Sequence, residues 1–132
     1  MLVFLSLTLS LAFMSKEIRE LYEFGDFRID VLRRLLLLRD EAVPLTSKAF
    51  ETLLVLVRNC DRVLTKDELM GALWPDSFVE EVNLAQNISA LRKALGESPG
   101  ENRFIATIPG KGYRFVCAVR DASEAEARGI DY

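Results

Sequence analysis

The sequence predicts an α+β domain in which three helices stand between short N-terminal strands and a C-terminal β-hairpin. Three observations carry that reading. In NLAQNISALRKAL (Asn83 to Leu95) the apolar residues recur at helical spacing. At about 100° per residue, Leu84, Ile88, Leu91 and Leu95 share one stripe that must face a core. Next, RFIATIPGKGYRFV (Arg103 to Val116) alternates like two strands around the turn Pro109-Gly110-Lys111-Gly112. Third, the segments before residue 45 are short, apolar or alternating, and separated by polar turn residues.

The whole chain narrows the function classes. Its 132 residues suit one domain with a single core, and 50% hydrophobic residues exclude a chain disordered throughout. Histidine is absent, which removes the commonest general base and metal ligand. Cys60 and Cys117 are isolated and cannot form a zinc site between them, so reduced, partly buried thiols are expected. No metal, cofactor or catalytic group is expected. Net charge is −3, yet residues 83–114 carry five basic side chains against two acidic ones, a local +3. Residues 1–82 hold ten against fourteen and residues 115–132 two against four. Positive charge therefore collects on the helix and hairpin that open this section.

In order along the chain, Met1 to Met14 is an uncharged apolar run too short for a membrane span and without the basic start of a signal peptide. Met14 is the expected start. Residues 1–21 are then an apolar extension with a charged tail. Tyr22 to Asp30, Arg33 to Arg39 and Ala42 to Leu45 read as short strands, although the Leu35–Leu38 run, short and bounded by arginines and Asp40-Glu41, could pass for helix. Thr46 or Ser47 caps the next helix, in which Phe50, Leu53, Leu54 and Val57 are core positions, and Asn59 to Arg62 closes it. Thr65-Lys66-Asp67-Glu68 is a capping box that starts a helix running to about Leu73. Trp74 to Glu81 is a connecting loop, with Trp74 expected to lie against the core. Gly96 stops the helix that begins at Asn83, and Glu97 to Asn102 is a polar loop. After Val119 the tail is acidic and lacks an apolar stripe, so residues 119–132 read as a linker or frayed end.

The outer face of the Asn83 helix is small, amide-bearing and basic. Gln86, Ala90 and Lys93 point away from the core stripe, flanked by Ser89 and Arg92 on one side and Asn83 and Asn87 on the other. Amides can read adenine edges, while arginine and lysine reach guanine or phosphate. The hairpin that follows puts Lys111 on a glycine-flanked turn, with Tyr113 and Phe115 alternating with Arg114. A phosphate-binding P-loop is excluded, because Ile105 and Gly112 stand where that motif needs glycine and Ser/Thr. Ile88-Ser89-Ala90-Leu91-Arg92-Lys93-Ala94-Leu95 and Gly110-Lys111-Gly112-Tyr113-Arg114-Phe115 together resemble the OmpR/PhoB-type winged-helix DNA-binding domain, over Leu45 to Val116.

That resemblance implies a winged helix-turn-helix over residues 22–118, opening with a small antiparallel sheet that makes Leu35–Leu38 a strand, and belonging to a bacterial, cytoplasmic transcription regulator without enzymatic activity. It implies a recognition helix at 83–95 in the major groove and a wing at 104–116 on phosphates and the minor groove. Gln86, Asn87, Ser89, Ala90, Arg92, Lys93, Lys111, Tyr113 and Arg114 are the DNA-contact candidates. Gln86 and Asn87 are the base readers, and Lys93 and Lys111 the phosphate ligands. Ser89 and Ala90 are shorter than the long side chains many members carry there, which weakens direct readout at both. The resemblance also implies RNA polymerase as a partner of the loop residues Asp76, Ser77, Phe78, Glu80 and Glu81, and paired copies on repeated half-sites. It further implies a sensory module, either a receiver or a membrane-anchored domain. A winged-helix protein–protein adaptor is the alternative, favoured by the acidic net charge.

Overall fold

Residues 20–123 are described in the computed structural model. The helices fall close to expectation. Helix α1 (Ser47–Arg58) is capped by Thr46, whose hydroxyl accepts from the Ala49 amide at 3.1 Å. Its buried face holds Phe50, Leu53, Leu54 and Val57, with Leu56 added. Helix α2 (Lys66–Leu73) starts on the expected capping box: Thr65 Oγ1 accepts from the Glu68 amide at 3.0 Å, and Glu68 Oε1 accepts from the Thr65 amide at 3.1 Å. Helix α3 (Glu81–Ala94) begins two residues before Asn83, with Glu80 as a cap that makes no side-chain bond. Leu95 ends it, and Gly96 follows in the left-handed conformation (φ +75°) that glycine adopts without strain. Leu84, Ile88, Leu91 and Leu95 are all buried, and they seat α3 on α1 and α2. Each contributes about 1.5–3 kcal/mol by leaving water.

The N-terminal sheet differs from expectation at both ends. Tyr22 to Asp30 is two strands, β1 (Leu21–Phe24) and β2 (Phe27–Asp30), folded back at Gly25 (φ +55°). The all-leucine run forms β3 (Leu35–Leu38), as expected of a strand. Strand β4 (Glu41–Val43) stops before Pro44 rather than reaching Leu45, because proline has no amide for the ladder. The acidic tail is not free from Val119. A short strand, Arg120–Asp121, pairs antiparallel with β1, and the buried Ala122 donates its amide to Leu21 O at 2.9 Å. Leu21, assigned to the N-terminal tail by sequence, is buried at the start of β1. Residues 1–19, including Met1 to Met14, and the tail from residue 124 lie outside the described residues.

The hairpin is part of a second, three-stranded sheet. Strand β5 (Leu64–Thr65) pairs with β7 (Gly112–Phe115), which pairs in turn with β6 (Ile105–Ile108). The Arg120–Asp121 strand, β8, completes the first sheet in the order β4-β3-β2-β1-β8. Aromatic rings join the two sheets. Phe24 stacks on Phe27 at 5.2 Å and meets Phe104 and Phe115 edge-on at 5.8 and 5.0 Å, a geometry that aromatic quadrupoles favour. The hairpin is thus anchored at its base, and its tip reaches solvent beside α3.

Candidate nucleic-acid interface

The face of α3 opposite the core presents Val82, Asn83, Ala85, Gln86, Ser89, Ala90 and Lys93 to solvent. Of the expected contact residues on this helix, Gln86, Ser89, Ala90 and Lys93 lie open. Two do not. Asn87 is half-buried at the edge of the helix–core contact, with its Nδ2 enclosed and without a hydrogen-bond partner. A nitrogen enclosed in this way cannot pair with a base edge in the same rotamer, so the base-reading expectation rests on Gln86. Arg92 turns toward the wing, donating from one guanidinium nitrogen to Ile105 O at 2.9 Å and Thr107 Oγ1 at 2.8 Å. Its charge is committed to fixing β6 alongside α3. The valine at position 82 went unnoticed among the candidates because the expected helix began one residue later.

The wing meets expectation at its tip. Lys111 and Arg114 are exposed. Gly110 takes the positive φ of +74° that the turn needs, and the Lys111 amide closes the turn on Ile108 O at 3.0 Å. Gly112 serves a different purpose from its neighbour. Its φ is ordinary, but β5 passes so close that a Cβ would lie 1.9 Å from Leu64 O. Tyr113 is a correction. It is 8% exposed and packs in the core, because its position in β7 points inward against Leu64 and Thr107.

Electrostatics tie the tip to the start of α3. Lys66 donates its amide to Lys111 O at 3.1 Å and its ammonium to Glu81 Oε1 at 2.7 Å. The Glu81 carboxylate holds the Lys66 ammonium above the usual lysine range. Glu81, assigned by sequence to the connecting loop, is therefore the first residue of α3 and ion-paired across the wing side. Behind the hairpin, the Glu97 carboxylate is buried and accepts from the amides of Phe104 and Ile105, each at 3.0 Å to its nearer oxygen. Glu97, expected only as part of a polar loop, instead pins the loop after α3 to the base of the wing.

The loop between α2 and α3 exposes Asp76, Ser77, Phe78 and Glu80. Phe78 is 99% exposed and borders a groove of about 450 Å³ that also touches Met70 and Trp74. Trp74 lies against the core as expected, with Lys48 Nζ 5.5 Å from its ring centroid and bonded to Leu73 O. Cys60 and Cys117 are free and half-buried, and burial raises the Cys117 thiol above its ordinary range. Among the described residues no helix is long and apolar enough to cross a membrane, and no cluster of side chains could hold a metal ion.

Comparison with known proteins places this arrangement. Residues 40–115 match the family model "Transcriptional regulatory protein, C terminal". The KDP operon transcriptional regulatory protein KdpE of Escherichia coli is 34% identical over 97 residues, covering 73% of this chain and 43% of its own length. YvcP of Bacillus subtilis, an uncharacterized transcriptional regulatory protein, is 38% identical over 80 residues, 60% of this chain and 33% of that protein. The chain thus spans less than half the length of these two relatives. Among solved structures, response regulator DrrB, an OmpR/PhoB homolog from Thermotoga maritima, superposes with a TM-score of 0.69 at 35% identity, covering 79% of this chain and 48% of that one. The DNA-binding domain of Klebsiella pneumoniae RstA, solved in complex with the RstA box, gives 0.66 at 28% identity, covering 73% of this chain and 96% of that one. With its family model matched over more than half its length and its fold shared, this chain belongs to the transcriptional regulatory protein C-terminal family, the winged-helix DNA-binding domains of OmpR/PhoB type.

Proposed function

We propose that this chain reads a specific duplex DNA sequence as the DNA-binding module of a bacterial transcription regulator, with α3 in the major groove and the wing tip on the backbone. One observation supports this above the others: the open stripe of Gln86, Ser89 and Lys93 on α3 runs alongside a wing that exposes the cationic side chains of Lys111 and Arg114. Gln86 reads a base edge, Lys93 and Lys111 hold phosphates, and Arg114 grips the minor-groove edge. Asn83, Ser89 and Ala90 border the groove contact, while Arg92 positions the wing and Tyr113 supports it from the core. Such a module acts in the cytoplasm, as two copies on repeated half-sites, joined to or partnered by a sensory module such as a receiver. The exposed loop of Asp76, Ser77, Phe78 and Glu80 is the surface offered to RNA polymerase. No chemical reaction is assigned to the domain.

Lys93→Ala combined with Arg114→Ala is expected to weaken duplex binding at least tenfold and to flatten its salt dependence, read by fluorescence anisotropy at two salt concentrations. Selection from a random duplex pool should enrich a repeated motif. The adaptor alternative draws on the exposed Phe78 and the net charge of −3. Absence of any duplex binding at low salt would favour it.

A further inference from the structure

One residue on the outer face of α3 departs from the chemistry of its neighbours. Val82 is 52% exposed, and among the described residues it is the only large apolar side chain that a helix leaves open to solvent. It lies on the same outward line as Gln86, Ser89 and Lys93, four, seven and eleven positions further on. A β-branched residue on an open helical turn gains nothing from packing and loses rotamer freedom there. The residues around it suit close approach. Ala85 and Ser89 are small, and the one acidic residue of the helix, Glu81, is drawn toward Lys66 on the wing side. Valine carries its methyls one bond beyond Cβ, so it can touch a base only if the helix backbone comes near the groove floor. The small side chains of this face allow that approach. In the major groove, the apolar feature offered by a base is the C5-methyl of thymine.

We propose that Val82 reads the C5-methyl group of a thymine, so that each half-site carries a thymine facing the first turn of α3. The proposal rests on the DNA-binding reading above and assigns part of its sequence preference to an apolar contact. A methyl group leaving water against a valine makes a difference of about threefold to tenfold in affinity.

The test uses the duplex enriched by selection with the full chain. Each thymine of one half-site is replaced in turn by deoxyuridine, which removes the methyl and nothing else. Wild type is expected to lose threefold to tenfold at one thymine. Val82→Ala should lose nothing further at that thymine, while Val82→Thr, which keeps one methyl, should retain part of the discrimination. Urea unfolding of the variants checks that the fold is kept. The proposal is overturned if wild type tolerates deoxyuridine at every position, if Val82→Ala shows the same loss at the same thymine, or if the enriched half-site contains no thymine. A pool that yields no bound duplex at all overturns the DNA-binding reading itself, and this assignment with it. That result differs from a selected duplex that is indifferent to its methyls.

Discussion

The substitution Gly112→Ala tests how the wing is held. A Cβ at that position would sit 1.9 Å from Leu64 O and 2.9 Å from both Leu64 C and Thr65 Cα, all backbone atoms. A carbon and a carbonyl oxygen approach no closer than about 3.3 Å without repulsion, so β5 and β7 must separate by more than an ångström. That movement disrupts the Thr65–Gly112 pairing and the 3.1 Å bond from the Lys66 amide to Lys111 O. Overpacking against an unyielding backbone costs about 1–3 kcal/mol, and each hydrogen bond lost adds about 1 kcal/mol. Together they predict a destabilisation of roughly 3 kcal/mol. For a domain near 100 residues this lowers Tm by roughly 10–20 °C. Gly110→Ala is the matched control. Its φ is +74° but no atom lies within 4 Å of the new Cβ, so only backbone strain of about 1 kcal/mol is expected. Urea unfolding followed by circular dichroism measures both. The reasoning is refuted if Gly112→Ala unfolds within about 0.5 kcal/mol of wild type, or if Gly110→Ala proves the costlier change.

Arg92→Ala should cost about 1–2 kcal/mol and weaken duplex binding by loosening β6 from α3. A double-mutant cycle with Thr107→Val checks the contact, and zero coupling would count against it. Glu97→Ala leaves the amides of Phe104 and Ile105 without their acceptor in a buried site, so a loss of about 2–4 kcal/mol is expected, and a loss under 1 kcal/mol in urea unfolding would contradict the anchoring role. Glu20 is held below the usual carboxylate range, chiefly by its hydrogen bond from Arg58, with burial opposing and Tyr22 assisting. A carboxyl whose folded pKa is depressed adds stability above its ordinary pKa and loses it as pH falls through the lower one. The stability gap between wild type and Glu20→Gln should therefore be present at neutral pH and close below about pH 4. A gap that persists in strong acid would refute that linkage.

Much of this fold was legible in the sequence, and the reasons differ by element. The stripe of Leu84, Ile88, Leu91 and Leu95 and the Thr65–Glu68 capping box are local signals whose meaning does not depend on the rest of the chain. Gly110 and Lys111 were legible as a turn for the same reason. Long-range pairings were not. A strand of two residues, Arg120–Asp121, has no period to detect, and its pairing is chosen by an edge nearly a hundred positions away. Arg92 is expected at the DNA and Glu97 in a polar loop, yet both are spent on wing groups that only the tertiary fold brings near. Tyr113 was misplaced because alternation defines two faces of a strand without saying which faces the core. Val82 was missed because helix starts are uncertain by a residue or two when the cap, here Glu80, makes no side-chain bond.

The pairing of β1 with β8 has a consequence for how the protein is made. Leu21 donates its amide to the Ser123 hydroxyl at 2.8 Å across a sequence separation of 102 residues. A ribosome adds about 5–20 residues per second, so β1 waits roughly 5–20 s for its neighbour. During that interval one edge of the first sheet keeps its amides and carbonyls open to any extended chain nearby. The helices and wing, whose contacts are closer in sequence, can assemble first. Strand β8 covers the β1 edge only after Arg120 and Asp121 have been added, so nascent chains ending short of Arg120 should be the aggregation-prone ones.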